Sequence, residues 1–144
     1  MIEEWSRVID GAHTPEIDIS ARRLVSAIGH RLDRADALID AVMVWENLVG
    51  ADTEIKFRVT AALAKVIEPE PNKRVQLRKS LGKVYDLRSR IVHGASSDQA
   101  KVTEAAKTAI SISIKTLRNF YKRGSGWLSL ESTDRADSIL LGEA

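Results

Sequence analysis

The segment YDLRSRIVHG, Tyr85 to Gly94, sets Arg88 and His93 five residues apart, with Ser89 and Arg90 between them. Histidine is the side chain whose ordinary titration lies nearest neutral pH, and an arginine fork grips a carboxylate or phosphate through paired hydrogen bonds. Seven basic residues, Lys73, Arg74, Arg78, Lys79, Lys83, Arg88 and Arg90, fall between positions 73 and 90, where Asp86 is the only acid. Such a run is either a solvated helix face or a site for a polyanion, and the residues alone leave both readings open. Structural roles also fit the two motif residues. A histidine in the last turn of a helix offsets the helix dipole, and Arg88 can pair with Glu46 or Asp40 on a neighbouring helix. Spacing by itself favours these structural roles over a site.

Other chemistries find little support. His13, His30 and His93 are the only histidines, and the chain has no cysteine. Disulfides and thiolate sites are therefore excluded, HEXXH is absent, and neither a metal nor a cofactor is expected. There is no GXXXXGK[ST], no GXGXXG and no GXSXG. The opening MIEEWSRVID lacks the basic start and apolar run of a signal peptide, and its Met1 leads us to expect an untruncated N terminus. No apolar stretch approaches the ~20 residues that span a bilayer. A cytoplasmic protein with no membrane contact is expected. A net charge of +2 and a pI near 9.0 are too mild to argue for nucleic acid alone.

The elements that must position these residues read as helices throughout. A short helix covers Glu3 to Ile9, and His13 to Glu16 breaks it. Ser20 to Leu32 follows with Ser20 as N-cap, and Leu24, Ile28 and Leu32 on one face. Asp33 to Val49 carries apolar residues at three-and-four spacing and stops at Gly50. Asp52 is expected to cap the next helix, which runs to Ile67. After the turn EPEPN, a long helix spans Asn72 to Val92, with Leu77, Leu81, Val84 and Ile91 on its apolar stripe. Arg88 falls on that stripe. Ser97 to Lys122 is the last long helix, although Ile110, Ile112 and Ile114 alternate with serines at a strand period. GSGW is expected to be a turn and Thr133 to Leu141 a short helix. The expected fold is all-α, a single domain over 1–144. Residues 1–32 form accessory helices, 33–123 a core bundle of four main helices, and 124–144 a tail with a short helix.

Tyr85 and Asp86, then Arg88 with four residues before His93, the apolar pair Ile91-Val92 and the closing Gly94 together resemble the R-x4–6-H motif of HEPN domains, in particular the Apea-like branch. ADALIDAVMVWENLVG followed by EIKFRVTAALAKVI resembles that family's first core helix pair, and the likeness spans roughly Arg34 to Arg123. Arg23 and His30 also satisfy the bare pattern, and we read that pair as coincidence. The resemblance implies a HEPN-like bundle and a metal-independent endoribonuclease that acts as a homodimer, with two motifs facing each other in one cleft. It implies His93 as general acid/base and Arg88 as the ligand of the scissile phosphate. Ser89 and Arg90 would support them, and Lys73, Arg74, Arg78, Lys79 and Lys83 would guide the RNA. Many active members place Asn, Asp or His where this chain has Ser89. Two alternatives therefore stay open: a non-catalytic RNA- or nucleotide-binding module, and a purely structural dimer partnering an antitoxin or a defence protein.

Overall fold

Pro15 sets the first boundary of the fold: its fixed backbone angle suits the first position of a helix, so the chain breaks at His13 and Thr14 and restarts there. The computed structural model describes residues 2–142, and Met1 and the last two residues of the 124–144 tail lie outside the described residues. Among the described residues eight α-helices follow one another: α1 Ile2–Ala12, α2 Pro15–Val25, α3 Arg34–Leu48, α4 Ile55–Ile67, α5 Pro71–Val92, α6 Gln99–Arg123, α7 Ser125–Leu128 and α8 Ser132–Asp137. Single π-helical turns extend α2 over Ser26–His30 and α8 over Ser138–Gly142. No strand occurs among the described residues, so the protein is all-α.

Local chemistry explains most boundaries. The Asp33 carboxylate accepts from the backbone N–H of Ala35 at 2.7 Å, and Asp98 accepts from that of Ala100 at 2.8 Å, so each caps the helix after it. Two expected caps fail. Ser20 is not an N-cap but a buried residue inside α2, because Thr14 and Pro15 have already started that helix. Asp52 is displaced by Glu54, whose left-handed backbone (φ 51°, ψ 39°) directs the chain into Ile55. GSGW is not a plain turn, since Ser125–Leu128 closes one turn of helix. Gly50 lies just past the end of α3 without a left-handed backbone. There a Cβ would come within 2.7 Å of the Ser132 hydroxyl and 2.8 Å of the Glu46 backbone carbonyl, so crowding by the last turn of α3 together with the C-terminal segment is what requires glycine.

α3 and α6 form the centre of the bundle. Trp45 is fully buried and donates its indole N–H to the Ala109 carbonyl at 3.2 Å. The strand-like alternation in α6 dissolves into helix for a simple reason. Ser113 is itself buried, and its hydroxyl donates to the Ala109 and Ala41 carbonyls, so this serine belongs to the core face. Ile17 and Leu24 of α2, Val59 and Leu63 of α4, and Leu81 and Val84 of α5 complete the same core. Asp40, buried in α3, holds Arg23 at 3.4 Å and Arg31 at 2.8 Å and thereby ties α2 and its π turn to the bundle.

Candidate functional site

α5 is a regular helix from Pro71 to Val92, and its end is built by Gly94. The Gly94 N–H donates to the Ile91 carbonyl and the Ala95 N–H to that of Arg90, both at 3.0 Å, with Gly94 at φ 85°. This paired closure needs a residue tolerant of positive φ, which is why glycine follows the histidine. It fixes His93 as the C-terminal cap of α5, exposed to solvent.

Because α5 does not unwind before Val92, Arg88 and His93 leave it about 140° apart. Arg88 lies on the inner side. It is half-buried, with a guanidinium nitrogen 4.0 Å from a Glu46 carboxylate oxygen of α3. Its Nε is buried with no hydrogen-bond partner. Tyr85, one turn earlier, donates its phenol O–H to that same Glu46 oxygen at 2.6 Å. Of the two carboxylates that sequence offered to Arg88, Glu46 is the neighbour, while Asp40 is taken by Arg23 and Arg31. Burial first, then the hydrogen bond and charge of Glu46, push the Tyr85 phenol from its ordinary 10.0 up to about 12, against a downward pull from Arg88. Burial also raises Tyr121, the other tyrosine.

A titration follows from this. The folded chain keeps the Tyr85 proton that the unfolded chain releases near pH 10, so this contribution to stability is intact below pH 10 and falls as pH rises toward about 12. Phenolate absorbance of the folded protein should therefore develop well above pH 10, and Tyr85→Phe should remove the later of the two steps. Two tyrosines ionising together at the free value would contradict the Tyr85–Glu46 bond.

His93 lies on a different side of the helix, in a row of its own. Lys79, Lys83, Asp86, Arg90 and His93 follow one another at four-three-four-three spacing, and all five are exposed. That spacing draws one continuous stripe along a helix, about 21 Å from Lys79 to His93 at the helical rise. Asp86, the single acid in the stripe, is covered by the Lys56 ammonium of α4 at 3.0 and 3.1 Å from its two oxygens. Lys83, Asp86, Ser89 and Arg90 line an open surface depression. The other basic residues divide. Lys73 pairs with Glu70 at 3.0 Å, and Arg74 donates to the Glu68 and Pro69 carbonyls, holding the α4–α5 turn. Arg78 lies over the Phe57 ring at 5.0 Å from its centre.

The structure thus places Ser89 and Arg90 with Lys83 and Asp86 at one depression, and it places His93 at the end of the exposed stripe. It keeps Arg88 apart from that group, against Glu46. The stripe is a feature that reasoning outward from Arg88 missed, although its spacing is visible in the sequence. Arg23 is engaged by Asp40 and the Met43 sulfur, and His30 is exposed at the end of a π turn, which leaves that second R-x6-H pair without a shared site. Among the described residues no cluster of three or more His, Asp or Glu side chains could hold a metal ion. No helix among them is long and apolar enough to cross a membrane.

Fold and site together define an all-α bundle with a cationic stripe on one long helix. No family model matches the chain, and neither a search of curated proteins nor one of solved structures returned a match.

Proposed function

We propose that the chain is a HEPN-type endoribonuclease domain that cleaves single-stranded RNA without a metal, in a cleft formed by two copies of itself. The observation that carries this reading is the exposed row of Lys79, Lys83 and Arg90 that ends on His93. A row of cations suits the backbone of a polyanion, and its last member is the residue type best suited to move protons near neutral pH. RNA supplies its own nucleophile. In this scheme the 2′-oxygen bonds to the adjacent phosphorus while the P–O5′ bond breaks. An imidazole takes the 2′-OH proton, and a protonated imidazole gives one to the departing 5′-oxygen. The products are a 2′,3′-cyclic phosphate and a 5′-hydroxyl. Arg88, through its fork, would neutralise charge developing on the phosphate. A second copy supplies what one helix cannot, because Arg88 and His93 leave α5 on different sides.

The test is incubation of the purified chain with single-stranded RNA in EDTA, with the product ends and the oligomeric state determined together. Cyclic phosphate ends from a dimeric protein are expected. RNA that is neither bound nor cut would end this reading. A second reading has its own support: Glu46 lies beside Arg88 and competes with a phosphate for the guanidinium. On that reading the domain binds RNA or a nucleotide without cutting it, and the same incubation would return RNA bound and intact.

A further inference from the structure

Phe57 is 54% exposed on α4, and the Arg78 guanidinium of α5 lies over its ring at 5.0 Å from the centre. A lone exposed phenylalanine is common and means nothing by itself. This one stands in a particular setting. The neighbouring Lys56 pairs with Asp86, the only acid between positions 73 and 90. Lys79, next to Arg78, begins the exposed cationic stripe, and Lys83 continues it. Gly82, buried in α5 between Arg78 and Asp86 in sequence, lies against Lys56: a Cβ there would meet only the Lys56 side chain, at 4.0 Å. Val75, one turn before Arg78 on α5, is 52% exposed.

From these residues we infer that Phe57 and Arg78 form a stacking platform for an unpaired base of single-stranded RNA, with Lys79 and Lys83 holding the flanking phosphates. The inference rests on the RNA reading above and names the part of the substrate that this face recognises. An aromatic ring and a guanidinium plane both stack on nucleobases, and every base offers a face, so such a platform is tolerant of sequence. It requires a base free of its helix, which selects single strands over duplexes. Along α5, Arg78 precedes His93 by about 22 Å at the helical rise, so the stacked base lies several nucleotides from the histidine. The platform therefore contributes to holding the strand and not to the bond that breaks.

The test is the affinity of the full chain for an oligouridylate of about twelve nucleotides, within the usual span of single-strand sites, measured by fluorescence anisotropy over a series of salt concentrations. Phe57→Leu keeps an apolar side chain and loses the ring. It should weaken binding about fivefold or more without changing the salt slope, whereas Phe57→Trp should bind as wild type or tighter. Lys83→Gln should instead reduce the salt slope by about one ion's worth. Thermal unfolding of each variant confirms that the fold is intact. Equal affinity of Phe57→Leu and wild type overturns the platform, as does equal binding of duplex and single strand. Failure of the wild type to bind RNA overturns it together with the functional reading. RNA that is bound through Phe57 but left uncut upholds the platform and defeats only the cleavage reading.

Discussion

Replacing His93 with alanine should lower RNA cleavage by about 10²–10⁴-fold while leaving the fold unchanged, the usual span for loss of a positioned general acid or base. The structural half of that expectation rests on position. His93 is exposed, and the bonds that close α5 around it run between backbone atoms, so they survive the substitution. What remains is a helix-dipole contribution below about 1 kcal/mol. Activity loss with an unshifted melting temperature would separate a chemical role from a capping role. Arg88 offers a less clean experiment. It is half-buried beside Glu46, so Arg88→Ala removes the positive neighbour of a carboxylate that then keeps only the Tyr85 phenol. Some stability should fall along with cleavage. Arg88→Lys keeps the charge near Glu46 and loses the fork, and cleavage should still drop by roughly 10²–10³-fold if the fork stabilises the phosphate. Cleavage that persists in His93→Ala would end the acid–base assignment whatever Arg88 does.

The helices were legible in the sequence because their apolar residues recur at three-and-four spacing, and α5 and α6 begin and end within two residues of expectation. Their starting points were less so, for local reasons. Ser20 has the right side chain for a cap, but Pro15 had already committed the backbone, and Asp52 loses its place to a left-handed Glu54 that no composition rule points to. The serines of α6 looked like the polar side of a strand because sequence cannot say that Ser113 finds carbonyl partners within the core. At the site, the pairing of Arg88 with Glu46 was among the readable alternatives, since an arginine on an apolar stripe must find an anion. The stripe that carries His93 was equally readable from spacing. It lies on the other side of the helix from the arginine, and the motif as a linear string does not show that its arginine and histidine are on different faces. Phe57 carries no signal in sequence, because its significance depends on Arg78 arriving from another helix.

The largest loss of stability should come from Arg135, a residue of the C-terminal tail with no part in the motif. Its side chain is 1% exposed and has no carboxylate among its hydrogen-bond partners. Instead the guanidinium donates to four backbone carbonyls: Leu48 at 2.8 Å, Asn47 at 2.8 Å, Leu128 at 3.2 Å and Leu130 at 2.5 Å. Two of these end α3, where the last carbonyls of a helix lack partners and carry the negative end of its dipole. The other two belong to Leu128, the last residue of α7, and to Leu130 in the segment that joins α7 to α8, so one cation fastens the tail to the central helix. Burial lowers the Arg135 pKa, and the Phe120 ring, 5.9 Å away, adds a face that favours the cation. Arg135→Met fills a similar volume but takes the donor from the Asn47, Leu48 and Leu130 carbonyls, while the Leu128 carbonyl keeps the Thr14 hydroxyl at 3.1 Å; each acceptor left unpaired costs about 1–3 kcal/mol before relaxation. Water reaching the edge of the tail recovers part of that, and a net loss of about 3–5 kcal/mol is expected, comparable to breaking a buried ionic network. Against a total stability of roughly 5–15 kcal/mol, this should lower the melting temperature by about 10 °C or more. Arg135→Lys keeps the charge but not the fork and should fall between the two. The tail also presses Ser132 against Gly50, just beyond Glu46 in α3, so its release should be felt at the Arg88 side of the site. Limited proteolysis decides how the loss is distributed. Early cleavage between Gly124 and Glu131 with an intact core would mean that the tail detaches locally, while uniform cleavage would mean that the clasp supports the whole bundle. A melting temperature of Arg135→Met within a degree or two of wild type would contradict both, and with them the account of a cation that stabilises by satisfying carbonyls.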